Sequence, residues 1–231
     1  MMAGSLFGKL PAKRDFVSFN VTRAFLDVWE PWMQRGVATS RQALGEAWTE
    51  AFRNAPIWRF WLGAGFCGTP VLGAFMPSVD AVGRYFPLTV YAVEEAGMVL
   101  APPEIDAHEP WLEAVETVML DALHPDATYE TVIDALGRLP STPQIEEVET
   151  IAGLARLPDG GVLVRDFGPG LPASLRAARR LDHRASFATQ CFWWTIGGEG
   201  YPQTALAGSQ LPPPARFRDM LTGHFADVLE S

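Results

Sequence analysis

The chain has 231 residues, 48% of them apolar and 19% charged, with eight Trp and fourteen Phe. This balance excludes a disordered chain and supplies the apolar mass for a buried core in one sizeable domain or two small ones. The formal net charge of −9, with no basic stripe, argues against a nucleic-acid partner, because neutralising phosphates takes a local excess of Lys and Arg.

The opening segment, Ser5 to Val17, is short, apolar and punctuated by Gly8 and Pro11, and reads as a strand followed by a turn. Lys9, Lys13 and Arg14 interrupt it too early for a secretory signal. Phe25, Val28, Trp29, Trp32 and Met33 then recur at helical spacing, with Pro31 marking a kink or a new first turn. Leu44, Ala47, Trp48, Ala51 and Phe52 form a second helical run, for which Ser40 is the expected N-cap and Asn54 with Pro56 the stop. From Ile57 the period shortens towards two. Ile57–Leu62, Val71–Met76 and Tyr85–Val93 read as three strands of an antiparallel meander, since their connections are too short for helical crossovers.

Two helices follow. Trp111, Leu112, Val115, Val118, Met119 and Ala122 share one face behind Pro110; Tyr129, Val132, Ile133 and Leu136 share another, opened near Asp126 or Thr128 and closed by Gly137. The polar, Pro-containing stretch 139–149 is the candidate linker within a single domain spanning 1–231. Beyond it the pattern predicts a strand at Val162–Asp166, a helix around Ser174–Arg180 and a strand at Thr189–Ile196. An extended piece at Thr204–Gly208 is a pairing partner for that strand, and a helix from about Pro214 to Leu229 closes the chain.

Phe192, Trp193 and Trp194 are consecutive in an expected strand, so alternation sends large rings to both faces; Ile57, Trp58, Phe60 and Trp61 behave alike. A sheet apolar on both faces needs cover on both. The expected fold is therefore α/β, a three-layer α/β/α sandwich around a mixed, mostly antiparallel sheet.

The pattern holds no glycine-rich phosphate loop, dinucleotide fingerprint or nucleophile elbow. His108, His124, His183 and His224 are scattered without metal-ligand spacing and read as surface or capping residues. Cys67 and Cys191 sit among apolar neighbours and read as buried hydrophobes of a reducing compartment. No apolar run reaches the roughly 20 residues that span a bilayer, so membrane insertion is not expected and the location expected is the cytoplasm; with none of the binding motifs above, no cofactor is expected either. Arg176, Arg179 and Arg180, with Arg184 nearby, have the spacing of one helix face and read as a solvated face or partner patch.

Two segments place polar groups in apolar, glycine-rich context: Phe7–Phe16 and Pro77–Thr89. Asp80 and Arg84 are four apart, within reach of an ion pair that holds a turn at a strand entry. That structural role is the first reading; the functional one is that Lys9, Asp15, Asp80 and Arg84 form a polar cluster at one end of the sheet that engages a partner. No residue is assigned a catalytic role. The competing reading is a hydrolase built on Ser78, Asp80 and Arg84 with a distant histidine; a third is a structural accessory subunit.

Three blocks in order carry a resemblance. Phe7–Val17 resembles the Gly-Lys-Leu-Pro-x-x-Gly-Asp-Phe opening of the TagF (ImpM) family. Ala55-Pro56-Ile57-Trp58-Arg59-Phe60, with Pro77–Asp80 and Gly83–Leu88, resembles its central block. Phe192-Trp193-Trp194-Thr195, with Gly208 and Leu211-Pro212, resembles its C-terminal block. One departure is Arg14, which stands where the family pattern commonly has Gly; a turn of positive φ there would strain it. The resemblance implies a cytoplasmic regulator of the type VI secretion system, a post-translational repressor whose partner is an Fha-type forkhead-associated scaffold. It marks Lys9, Asp15, Trp58, Arg59, Ser78, Asp80, Arg84, Trp193 and Trp194 as partner-binding or structural positions.

Overall fold

The computed structural model describes residues 4–95, 99–140, 153–165, 167–168 and 170–225, and among these described residues are nine strands and eight α-helices. Strands β1 (Ser5–Gly8) and β2 (Val17–Phe19) precede helices α1 (Arg23–Leu44) and α2 (Trp48–Asn54). Strand β3 (Trp58–Leu62), a single turn α3 (Ala64–Cys67), β4 (Val71–Met76) and β5 (Leu88–Val93) follow. Next come α4 (Glu109–Asp121), α5 (Tyr129–Leu136), β6 (Leu154–Arg156), β7 (Val162–Val164), α6 (Leu171–Leu181) and α7 (His183–Ser186). Strands β8 (Cys191–Thr195) and β9 (Thr204–Gly208) and helix α8 (Arg216–Thr222) complete the order.

Seven strands form one sheet in the order β2-β1-β5-β4-β3-β8-β9, and β6 with β7 forms a separate hairpin. Every pairing is antiparallel, so the sheet is purer than the mixed one expected. The meander β3-β4-β5 and the pairing of β8 with β9 are as the sequence predicts.

Alternation along the central strands separates two cores. Trp58, Phe60, Leu62, Phe75, Tyr91 and Trp193 face α1, α2 and α8, meeting Phe25, Trp29, Trp32 and Phe217. Trp61, Leu72, Ala74, Leu88 and Val90 face α4 and α5, meeting Trp111, Leu112, Val115 and Met119. Helices therefore cover both faces, giving the three-layer α/β/α sandwich. One core is built mainly of stacked rings, such as Trp29 and Trp193 with centroids 5.7 Å apart; the other is mainly aliphatic.

Several boundaries differ from expectation. Ser40 caps nothing: it lies buried within α1, donating from Oγ to Val37 O (3.0 Å) and accepting from Trp48 Nε1 (2.9 Å). Helix α1 runs through Pro31, whose ring is solvent-exposed, and stops at Gly45, where φ of +54° breaks the ladder at low steric cost. Strand β5 begins at Leu88 rather than Tyr85. Residues 78–86 instead fold back on themselves, with Phe86 N donating to Ser78 O (3.1 Å) and an isolated bridge joining Val79 and Tyr85. His108 is a capping residue but not a surface one: buried at the N-cap of α4, its Nε2 lies 2.8 Å from Ala101 O. Helix α6 is longer than Ser174–Arg180, and α8 ends at Thr222 before Gly223. Residues 226–229 of that expected helix, Asp166 of the expected strand and 141–149 of the expected linker lie outside the described residues, while Leu139 is buried in the aliphatic core.

Candidate functional site

The two polar segments singled out in the sequence clasp each other. Strand β1 ends at Gly8, whose φ is +138° and where a Cβ would stand 2.1 Å from Pro87 O, so only glycine lets the strand end approach the 78–88 loop. The chain then delivers Lys9 into the protein, where its Nζ donates to Asp80 Oδ2 at 2.9 Å. Arg84 Nε donates to the same oxygen at 2.7 Å, while the Val82 and Arg84 backbone N–H groups donate to Oδ1 at 3.1 and 2.9 Å. Ala81 N donates to Lys13 O (2.9 Å), and the Arg84 guanidinium also reaches Arg14 O.

Asp80 is thus a hub with its side chain sealed from water. Burial alone would push its carboxyl up, but the bonds from Arg84, Lys9 and Val82 outweigh it and hold the group below the ordinary carboxylate range. A carboxylate with four donors around its two oxygens has no free lone pair directed at a substrate, so the arrangement suits fixing a loop rather than moving a proton. Ser78 Oγ is buried and, among the described residues, has no hydrogen-bond partner, so no histidine activates it there.

Asp15 stands apart from this cluster. It is exposed, and its Oδ1 accepts from Phe16 N (3.0 Å), because the turn after Leu10 directs it outward. Arg14 takes an ordinary backbone conformation: among the described residues only Asn20 and His108 combine a side chain with positive φ. The clasp also lifts apolar groups to the surface. Phe16, 45% exposed, lies under the Lys9 ammonium (4.1 Å) and edge-on to Phe86, and Val82 is 55% exposed. Arg84, whose side chain is 56% exposed, is a third group that these two segments leave open to solvent.

The other marked residues lie in the layers. Arg59 is buried on the aliphatic face, its Nε donating to Glu116 (2.6 Å) and its Nη1 to Glu109 (2.7 Å). Burial would lower the guanidinium's pKa, but the two carboxylates overcome it and raise the group. These acidic partners were not legible from Arg59 itself; the signal was their spacing, seven residues apart on one face of α4. Trp58 Nε1 donates to Met220 O (2.9 Å), tying the sheet to α8. Trp193 is buried among the rings with its Nε1 unpartnered among the described residues. Trp194 is half-buried on the opposite face, where with Phe192, Ala205, Ala207 and Pro103 it lines an apolar cavity of about 290 Å³. A second buried carboxylate, Asp219, accepts from Arg216 and Arg218 within α8.

Both cysteines are free and buried, and burial pushes the Cys67 thiol up to about 11 and raises Cys191 as well, so neither is a thiolate at neutral pH. Among the described residues no three His, Cys, Asp or Glu side chains are arranged to hold a metal, and no helix is long and apolar enough to cross a membrane.

Comparison with known proteins adds to this geometry. A family model described as the TagF N-terminal domain, type VI secretion system-associated, matches residues 5–139. The whole chain is similar to the crystal structure of PA0076 from Pseudomonas aeruginosa PAO1, at 29% identity and a TM-score of 0.79, over 99% of this chain and 97% of that one. No curated protein matches the sequence.

Proposed function

The chain belongs to the type VI secretion system-associated TagF family, and from that premise we propose that it is a non-catalytic regulator acting by binding an assembly component. It represses secretion post-translationally in the cytoplasm, its partner is an Fha-type forkhead-associated scaffold, and the chain works as a single domain.

The observation that supports this reading best is the state of Asp80. The residue that a hydrolase would need as base or orienter is saturated by Lys9, Arg84 and Val82 and shut away from solvent. What the clasp leaves outside is two exposed apolar side chains, Phe16 and Val82, and the Arg84 guanidinium, carried on segments that the Asp80 bonds tie together. Groups carried on segments tied in this way lose little entropy on docking.

Calorimetric titration of the full chain against the scaffold of its own secretion system tests the proposal. Binding in the micromolar range that Phe16→Asp weakens by about tenfold is expected, since truncating a buried anchor commonly costs that much. Absence of heat with partner at tens of micromolar would count against the scaffold as partner.

A further inference from the structure

The arginines of α6 are absorbed by neither the clasp nor the layers. Residues 153–190 carry six Arg and three Asp, with no Lys or Glu, inside a chain whose formal net charge is −9. Two of the six are committed to structure: Arg156 pairs with Asp182 (3.1 Å) and Arg184 with Glu94. Arg165, Arg176, Arg179 and Arg180 are exposed, and among the described residues none of the four is in an ion pair. Arg179 is held in place by stacking on Phe187, 4.5 Å from the ring centroid.

A solvated charged face would end there, but this one does not. Leu171 and Leu175, one helical turn apart, are 48% and 50% exposed, and Phe167, in the turn leading into α6, is 50% exposed. Ser174 and Ala177 supply the buried side of the helix, so the leucines and arginines share its outer side. Leu171 and Leu175 form a short apolar ridge, and Arg179, Arg176 and Arg180 follow round the cylinder from it. Large aliphatics left in water beside cations that have no ion-pair partner among the described residues are the surface expected of a binding site.

We propose that the outer face of α6 docks an acidic amphipathic segment of a partner protein, its apolar residues seated on Phe167, Leu171 and Leu175 and its carboxylates on Arg176, Arg179 and Arg180. Charge sets the class of occupant: a local surplus of arginine attracts a carboxylate-rich segment, whereas two copies repel through their like net charge of −9, and guanidinium groups bind carboxylates in paired, directional bonds. The leucine ridge selects a protein segment over a free anion. The inference rests on reading the chain as a binding protein, and it adds a surface separate in sequence from the clasp.

Fluorescence anisotropy on the full chain tests it, with a labelled helical peptide carrying Glu on one face and Leu at i, i+3 and i+4 as the probe. The expected result is saturable binding that weakens about tenfold in R176E/R180E, and also in L171S/L175S, and that falls as salt rises. Arg180→Gln, which removes one charge at an exposed site, is expected to give a smaller loss and guards against misfolding of the double variants. Wild-type binding that none of these variants weakens, or no binding of the peptide at all, overturns the proposal. So does equal binding of a leucine-free glutamate peptide, or tighter binding of an RNA oligonucleotide or of phosphatidylglycerol vesicles. A scaffold that binds the wild type and R176E/R180E alike removes the α6 surface from that complex and leaves the clasp reading standing; a scaffold that binds neither, with the peptide still bound, does the reverse.

Discussion

Asp80 and Arg59 are both buried charges with two oppositely charged partners, yet they do different work. Asp80 gathers Lys9, Arg84 and two backbone N–H groups of its own loop, and its side chain sees no water. Arg59 gathers only side chains, and one of them, Glu109, is 50% exposed and free to turn to solvent. The first charge dictates a backbone path and keeps Lys9 from being an uncompensated buried cation. The second fastens a helix to a sheet that apolar packing already holds. Breaking a buried pair costs far more than its net worth, whereas exchanging it for apolar volume costs little, so the two sites are expected to respond differently.

The largest effect is expected at the hub. Asp80→Ala strands the Lys9 ammonium in the protein and frees the 78–86 loop, lowering stability by about 3–5 kcal/mol in a denaturant titration. Retention of wild-type stability would show that the clasp is incidental. Acid should act through the same group. Its folded pKa lies below the ordinary 3.8, so its contribution is complete above that value and fades as pH falls towards the lowered one. Thermal melts below pH 4 or so should therefore show a loss that Asp80→Asn lacks, from an already lower starting point.

A smaller effect is expected for Arg59→Met, about 2 kcal/mol, because methionine fills part of the space and Glu109 rehydrates, while Glu116, 14% exposed, is left without its cation. A loss as large as that of Asp80→Ala would erase the distinction between the two charges. Arg14→Gly, which restores the residue common in the family, should destabilise by about 0.5 kcal/mol through unfolded-chain entropy, since Arg14 is not strained where it stands. Least of all, Ser78→Ala should be neutral or slightly stabilising, within about 0.5 kcal/mol, because it removes a buried hydroxyl without a described partner. A Ser78→Ala variant that loses a hydrolytic activity of the wild type would reopen the enzyme reading.

Most of the framework was legible because it is written in local periodicity. The β3-β4-β5 meander, the faces of α4 and α5 and the split of Phe192, Trp193 and Trp194 between two cores all follow from spacing along a few residues. Tyr85 misled because its aromatic neighbours look like strand, while Pro87 offers no N–H to a ladder and the Asp80 hub draws the loop back. Ser40 misled because a serine before an apolar run has the form of a cap, and only the indole of Trp48, eight residues on, shows its use. At the clasp the residue types were legible and the membership was not: Lys9, Asp80 and Arg84 converge, Asp15 does not.

What the amino-acid order determined alone is the alternation that forces two apolar faces, and hence two helical layers, because side-chain direction depends only on residue number within a strand. Which charges meet was decided by the tertiary structure. Lys9 and Asp80 are 71 residues apart along the chain and 2.9 Å apart in space. The strength of a charge's interactions depends on distance and on the water excluded around it, and neither exists until the sheet has closed.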